Sequence, residues 1–442
     1  MRAGGAWVAA AFLVTVAIAV LGVSRAPGTP YDEAAHLDYI VKLAHGDMPQ
    51  VFERYGQTVL RELACDDPRG AAWAGLEPCE SDTFSPELAP FAGLSTATNY
   101  APTYYLLTAA PYRLCEATSP WSPRVCGRMA NTLWLGAAAG GFCALLLLLG
   151  ASRPVSLVVS VGVSVLPAVL LQGITVNPDA AVHAMVAWLA VLAVRLARSD
   201  RLTITGKSLL LGAAGLVAVT TKETALVGLA LVMLLLGFLV DPAAPTRRQV
   251  RTWVVLTGTL AGVVALAAAS RLLQPVLRGT GGVNTLEEVS QSPLSDLDNG
   301  TLQASMAAMR PFSELPWEGL GNTWLLACSA LVTVLAWAVG LQARLPVGAG
   351  AVDGRSSPPS SRARNAFPAV MVLAAWAGAG VLLVMTWAES GAMPTQPRYY
   401  MASAALVLAI GVATTASRPT RALVVASLGA TTALVTISLL MA

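Results

Sequence analysis

Apolar residues arrive in blocks of membrane-crossing length, and polar residues are confined to the joints between them. Marking each predominantly apolar stretch of about 17 to 22 residues predicts spans near 6–24, 129–150, 154–174, 179–196, 206–221, 223–240, 253–272, 320–341, 367–388, 399–416 and 422–441. The two that meet at Thr221 are short. The first run, Ala6 to Val23, exceeds the length of a signal-peptide core, and the small-residue cleavage point after Ala26 is followed by Pro27, so this run reads as a retained span. The expected fold class is an all-α polytopic membrane protein of about eleven transmembrane helices, one domain over residues 1–442. Its polar sequence lies in a large first loop, 25–128, and a second loop, 273–319. A Gly-, Ser- and Pro-rich linker, "GAGAVDGRSSPPSSRAR", falls within 341–365 and reads as flexible.

Composition agrees, with 55% apolar and 12% charged residues and a mean hydropathy of +0.63. With the N-terminus in the cytoplasm, 15 basic and 3 acidic residues fall inside, against 13 basic and 22 acidic outside. That asymmetry is the positive-inside signature, and it predicts a plasma-membrane protein whose two large polar loops face outward. The basic face is the ordinary cytoplasmic one, so no nucleic-acid partner is implied. Arg outnumbers Lys 25 to 3, the usage of a GC-rich bacterial genome.

Cys65, Cys79, Cys115 and Cys126 all fall in the first outer loop, where thiols oxidise. Pairing 65 with 79 and 115 with 126 closes two short loops, each worth about 3 kcal/mol, although four cysteines allow three connectivities. A zinc site is the weaker reading, because no pair has short ligand spacing. Cys143 and Cys328 sit inside spans.

The stretch "TPYDEAAHLDY", Thr29 to Tyr39, follows directly on the first span. A hydroxyl cap at Thr29, Pro30 in the first turn and Asp32 three residues after the cap predict a helix start, with the helix over 30–45 and a stop at Gly46. Helical spacing puts Asp32, His36, Tyr39 and Leu43 on one face, Leu37, Ile40, Val41 and Ala44 on the apolar one, and Asp38 and Lys42 toward water. Glu33 projects with the apolar face, where its charge needs a partner. Asp32 as a simple cap paired with His36 is one reading. A proton-handling helix at a membrane mouth is the other, and the helix N-terminus would keep Asp32 ionised for it.

The same chemistry recurs in "ITVNPDAAVHAM", where Asn177 caps, Pro178 begins the helix, and Asp179 stands one turn before His183. In "TTKETAL", Lys222 and Glu223 occupy a turn between short spans, as a snorkelling cation or as part of a pocket. "TQPRYYMA" brings Arg398, Tyr399 and Tyr400 to the start of a span, as interface anchors or as phosphate ligands. "NYAPTYYLLTAAPYRL" carries Tyr100, Tyr104, Tyr105 and Tyr112 and reads as an interfacial helix, with Arg113, Arg124 and Arg128 near the headgroups. No nucleotide-binding loop appears, so a donor for group transfer is expected to come from the membrane. Matched broken helices and mid-membrane charges, the marks of a repeat transporter, are not evident.

In this order "PYDEAAH", "APTYYLLTAAPY", "GRMAN", "VNPDA", "TKET" and "QPRYY" run along most of the chain, and together the pattern resembles the GT-C superfamily of membrane glycosyltransferases. It is most similar to a family of actinobacterial predicted membrane proteins of unassigned activity. The resemblance implies a GT-C-like fold and inverting transfer from a polyprenyl-phosphate sugar donor to an envelope glycan, lipid or protein acceptor, with membrane lipids as the other partner. It implies Asp32 as the catalytic base with Glu33 next and His36 beside them. Arg398, Lys222 and Arg128 would bind the donor phosphate, and Tyr39, Asp179, His183 and Tyr399 would support the site. It implies no fixed cofactor: some members use a divalent cation and others do not, and the sparse carboxylates here favour no metal. The chain departs from the pattern in having no sizeable soluble domain after its last span, and in a proline directly before Arg398. The rival readings are a transporter or flippase of lipid-linked sugar that performs no chemistry, and a scaffold subunit of an envelope-synthesis complex.

Overall fold

The computed structural model describes residues 2–24, 26, 33–66, 76–89, 93–199, 201–222, 224–239, 250–252, 254–263, 265–266, 406, 409–412 and 418–441. Asp32, Glu223, Arg398, Tyr399 and Tyr400, and the loops and linker at 273–319 and 341–365, lie outside these residues, as do the spans expected near 320–341, 367–388 and most of 399–416.

Among the described residues the chain is helical, with no named strand and one isolated antiparallel bridge, Arg54 to Leu94. In chain order the helices are α1 (Arg2–Val23), α2 (Glu33–Ala44), α3 (Gln57–Asp66), α4 (Thr103–Thr118), α5 (Pro123–Leu148), α6 (Arg153–Ser164), α7 (Pro167–Ile174), α8 (Asp179–Arg198), α9 (Ile204–Thr221), α10 (Ala225–Leu239) and α11 (Arg418–Met441). Four runs of helix among the described residues are long and apolar enough to cross a membrane: Gly4–Val23, Pro123–Leu148, Asp179–Arg198 and Ile204–Thr221.

The central element is α5. Ser122 caps it by accepting from the Val125 N–H, and Pro123 occupies the first turn, where its missing N–H costs nothing. Small residues then let neighbours approach: α1 packs on one side and α8 on the other. A Cβ at Gly136 would lie 2.5 Å from Val16, and one at Gly141 would lie 2.8 Å from Ala187, so these two contacts depend on the missing side chain. Such close approach is what holds helices together in lipid, where apolar burial between helices gains little.

The stretch expected as one span over 154–174 is two helices. α6 stops at Ser164 and α7 starts at Pro167. The physical reason is Pro167, which lacks the N–H that a continuous helix would donate and disfavours helical geometry in the residue before it. The polar segment 175–178 then leads into α8, whose start is capped by Asn177 Oδ1 accepting from the Asp179 N–H at 2.9 Å.

Two apolar cores result. One lies among the spans, from Ala11 on α1 through Phe142 on α5 to Val194 on α8. The other lies at one end of the bundle, where α2 and α4 pack together over α5 around Leu37, Tyr39, Ile40, Tyr104, Tyr105 and Tyr112. Three of the four tyrosines expected at an interface are instead fully buried, Tyr104, Tyr105 and Tyr112, while Tyr100 is half-buried. Tyr39 stacks on Tyr105 at 3.9 Å between centroids, and Tyr104 meets Tyr105 edge-on at 4.9 Å. Such pairs add about 0.5–1.5 kcal/mol each beyond the area they bury. The face α4 leaves open is the apolar one, Leu106, Leu107, Leu114 and, just beyond the helix, Trp121.

Candidate functional site at one end of the bundle

Glu33 opens α2 and is buried, as its place on the apolar face requires. Its partner is Arg128 on α5, 95 residues away, through two bonds of 2.7 Å: Nε to Oε1 and Nη2 to Oε2. Arg128 Nη1 also donates to the carbonyls of Val23 and Ala26 at 2.9 Å each, and Glu33 Oε1 accepts from the Val176 N–H at 3.0 Å. A planar fork meeting a carboxylate is the strongest of side-chain pairings. Here it ties the end of α1, the start of α2, α5 and the linker before α8 into one joint. Arg128, expected near the headgroups, is buried at 4% exposure instead, because the joint supplies the acceptors its charge demands.

Three residues later, His36 turns under α2 and places Nδ1 2.8 Å from the Tyr105 hydroxyl. Tyr105 is thereby held between the His36 contact and the Tyr39 stack. The Tyr100 ring lies 6.0 Å from the His36 ring. Lys222 Nζ stands 5.8 Å from the Tyr100 centroid.

Lys222 caps the C-terminal end of α9, where a cation also faces the favourable pole of the helix dipole. It is not a snorkelling side chain. It is 3% exposed, and its ammonium lies 2.8 Å from Asp179 Oδ1 at the start of α8. His183, one turn on, places Nε2 3.0 Å from Gln172 Oε1. Gln172 and Thr175 offer their carbonyls, left over at the end of α7, to the Asn131 amide, whose oxygen in turn accepts from Tyr104.

Asp38 departs from expectation. It is buried rather than turned to water, because the loop from 53 to 56 folds over it: Oδ1 accepts from the Gly56 N–H at 2.7 Å, and Lys42 Nζ sits 2.9 Å from Oδ2. Burial pushes its carboxyl above the ordinary range, outweighing the Lys42 ammonium and the Gly56 bond. Lys42 itself reaches Glu53 and the Arg54 carbonyl. α2 ends as a glycine stop: Gly46 has φ +91°, its N–H bonds Leu43 O and that of Asp47 bonds Lys42 O. Cys65 is joined to Cys79, and Cys115 to Cys126. The second bridge links α4 directly to α5.

The structure therefore brings together His36, Tyr39, Lys222, Asp179 and His183, and sets Glu33 with Arg128 beside them in a closed pair. Tyr100, Tyr105, Gln172 and Asn131 belong to the same polar cluster and were not singled out as site residues. The tyrosine density around residue 104 was the available signal for the first two. Gln172 and Asn131, lone amides inside apolar runs, were a weaker one.

Ionisable pairs gathered at one end of a set of apolar helices define a multi-spanning helical membrane protein. Over residues 12–407 the chain matches the family described as "Predicted membrane protein (DUF2142)", and it belongs to that family. No curated protein and no solved structure matches it.

Proposed function

We propose that this protein performs inverting glycosyl transfer from a polyprenyl-phosphate-linked sugar to a cell-envelope acceptor, on the extracytoplasmic side of the plasma membrane. The observation that carries the reading is the convergence of three separate motifs on one cluster: His36 from "PYDEAAH", Asp179 from "VNPDA" and Lys222 from "TKET", joined through Tyr100. Buried ionisable groups at the mouth of a bundle are costly and are retained where they act.

In this reading Asp32, directly before α2 in sequence, takes the proton of the acceptor hydroxyl as that oxygen attacks the anomeric carbon. The bond from that carbon to the phosphate oxygen breaks, and the phosphate leaves with the electron pair. Lys222 and Arg398 offset its charge. Glu33 and Arg128, each satisfied by the other, hold the N-terminal end of α2 in place and take no part in the chemistry.

The test is purified full-length protein incubated with a panel of radiolabelled polyprenyl-phosphate sugars, with and without envelope acceptors. Sugar release is expected from at least one donor, and Asp32→Asn should lower it by about 10²–10⁴-fold while insertion and thermal stability stay as in the wild type. Release that survives Asp32→Asn rejects the base. No release from any donor, with binding retained, favours a carrier of lipid-linked sugar.

A further inference from the structure

By the standard of a helix resting in water, α4 is inside out. Its hydroxyls point inward and are bonded: Tyr104 donates to Asn131 Oδ1 at 2.9 Å, the Tyr105 hydroxyl lies 2.8 Å from His36 Nδ1, and Thr108 accepts from the Trp134 indole at 2.9 Å. The outward face carries Leu106, Leu107, Ala110 and Leu114, all exposed, and the exposed Trp121 follows just beyond the helix. Their spacing of three, four and seven residues puts them in one stripe. The charge beside it, Arg113, stands at the stripe's edge and pairs with Glu116. A continuous apolar stripe with the polar groups turned away from it marks a surface that meets something other than water.

The two ends of α4 indicate what that is. At its start Thr103 Oγ1 donates to Thr220 Oγ1 at 3.0 Å, and Thr220 belongs to the last turn of the membrane-length helix Ile204–Thr221. Toward its end Cys115 is bridged to Cys126, in the first turn of the membrane-length helix Pro123–Leu148. Sixteen residues of helix, about 24 Å long, are thus tied at one end to the close of one span and near the other to the opening of a second. A helix held in this way lies along the boundary where the spans leave the apolar phase. The exposed surface of the spans leads up to it: Val217 and Leu210 on α9 stand about one and three turns from the Thr220 joint, and Leu133 on α5 is exposed as well.

We infer that α4 is a membrane-surface helix whose leucine stripe is seated in the leaflet on the side of the first loop, about 5–10 Å into the boundary between headgroups and acyl chains. The Trp121 indole then sits at the level of the headgroups. The sequence pattern drew this segment to the interface through its tyrosines, and the structure reverses the faces: the tyrosines support α2 and His36, while the leucines take the lipid. Tyr104 and Tyr105 therefore ride on a helix whose opposite side is lipid, and the bilayer sets the height of that wall of the polar cluster. The inference is independent of the glycosyl-transfer reading.

The experiment is nitroxide accessibility by electron paramagnetic resonance, on full-length protein in phosphatidylethanolamine and phosphatidylglycerol nanodiscs, with the native bridges intact and the free cysteines removed by Cys143→Ala and Cys328→Ala. The label goes on Leu107→Cys. Leu13→Cys, on the exposed middle of α1, gives the lipid reference, and Thr83→Cys, on the exposed part of the first loop, gives the water reference. At position 107 the ratio of oxygen collisions to nickel-chelate collisions is expected to stand several-fold above that of Thr83→Cys and below that of Leu13→Cys. Leu106→Cys supplies the same reading where the first variant does not insert. Nickel collisions equal to those of Thr83→Cys put water on the stripe and overturn the inference. A label shielded from both relaxants puts protein there, whether another segment of this chain or a partner, and overturns it equally.

Discussion

Adjacent carboxylates in one sequence motif have different fates, and the difference is measurable. Glu33 is buried against Arg128, so deleting the cation strands a carboxylate and frees two carbonyls. Arg128→Met is expected to destabilise the folded protein by about 3–5 kcal/mol, seen as a large fall in thermal midpoint in detergent. Arg128→Lys should recover little of it, since an ammonium cannot fork across both carboxylate oxygens. An unchanged midpoint in Arg128→Met would show that the joint holds nothing. Asp38 makes a pH prediction. Its carboxyl is raised above its ordinary value of 3.8 by burial, so folding favours the protonated form. The resulting stabilisation is complete below the unfolded value and is lost as pH rises through the folded one. Relative to Asp38→Asn, the wild type should therefore gain stability as pH falls from neutral toward the carboxylate range. Thermal midpoints of both proteins across that range decide it, and a difference that stays constant or narrows in the other direction counts against burial as the cause.

Among helices, contact depends on small residues. A side chain at Gly141 would meet Ala187 Cβ at 2.8 Å and the Trp188 backbone nitrogen at 3.3 Å. Replacing an interior helical glycine gains about 1 kcal/mol at most in helix propensity, whereas overpacking costs about 1–3 kcal/mol. Gly141→Val carries a β-branched side chain into that contact, so the net effect is expected to be destabilising, by thermal unfolding of the purified protein. Gly4, near the start of α1, has open space where a Cβ would go, and Gly4→Ala serves as the control that adds a side chain without overpacking and is expected not to destabilise. The break between α6 and α7 obeys the same logic of local chemistry. It delivers the polar segment 175–178 to the joint, where the Val176 N–H reaches Glu33.

For the molecule as a whole, the two disulfides connect fold to compartment. Cys115–Cys126 bridges α4 and α5, and Cys65–Cys79 closes the end of α3 onto the loop that follows. Such bridges form and persist chiefly in oxidising compartments, and the positive-inside expectation predicts that side for the first loop. In intact cells a membrane-impermeant maleimide should label these four cysteines only after reduction. Labelling without reduction contradicts the bridges, and none after reduction contradicts the orientation. Removing the Cys115–Cys126 bridge should cost about 2–4 kcal/mol, again read as a thermal midpoint.

Some features of this chain are local and could be read directly from it. Span-length apolar runs mark helices because a bilayer interior leaves backbone groups no other partner. Gly46 stops α2 and Asn177 starts α8 through chemistry that reaches only a few residues along the backbone. Periodicity also showed that Glu33 faced apolar surroundings and needed a counter-charge. It could not name Arg128, 95 residues on, nor bring Lys222 to Asp179, nor foresee that a loop would close over Asp38. Those pairings arise only when α5 accepts α1 and α8 against its glycines and the tyrosines of α4 are driven inward under α2. A hydrophobic pattern records how buried a residue will be, while its partner is chosen by packing between distant segments.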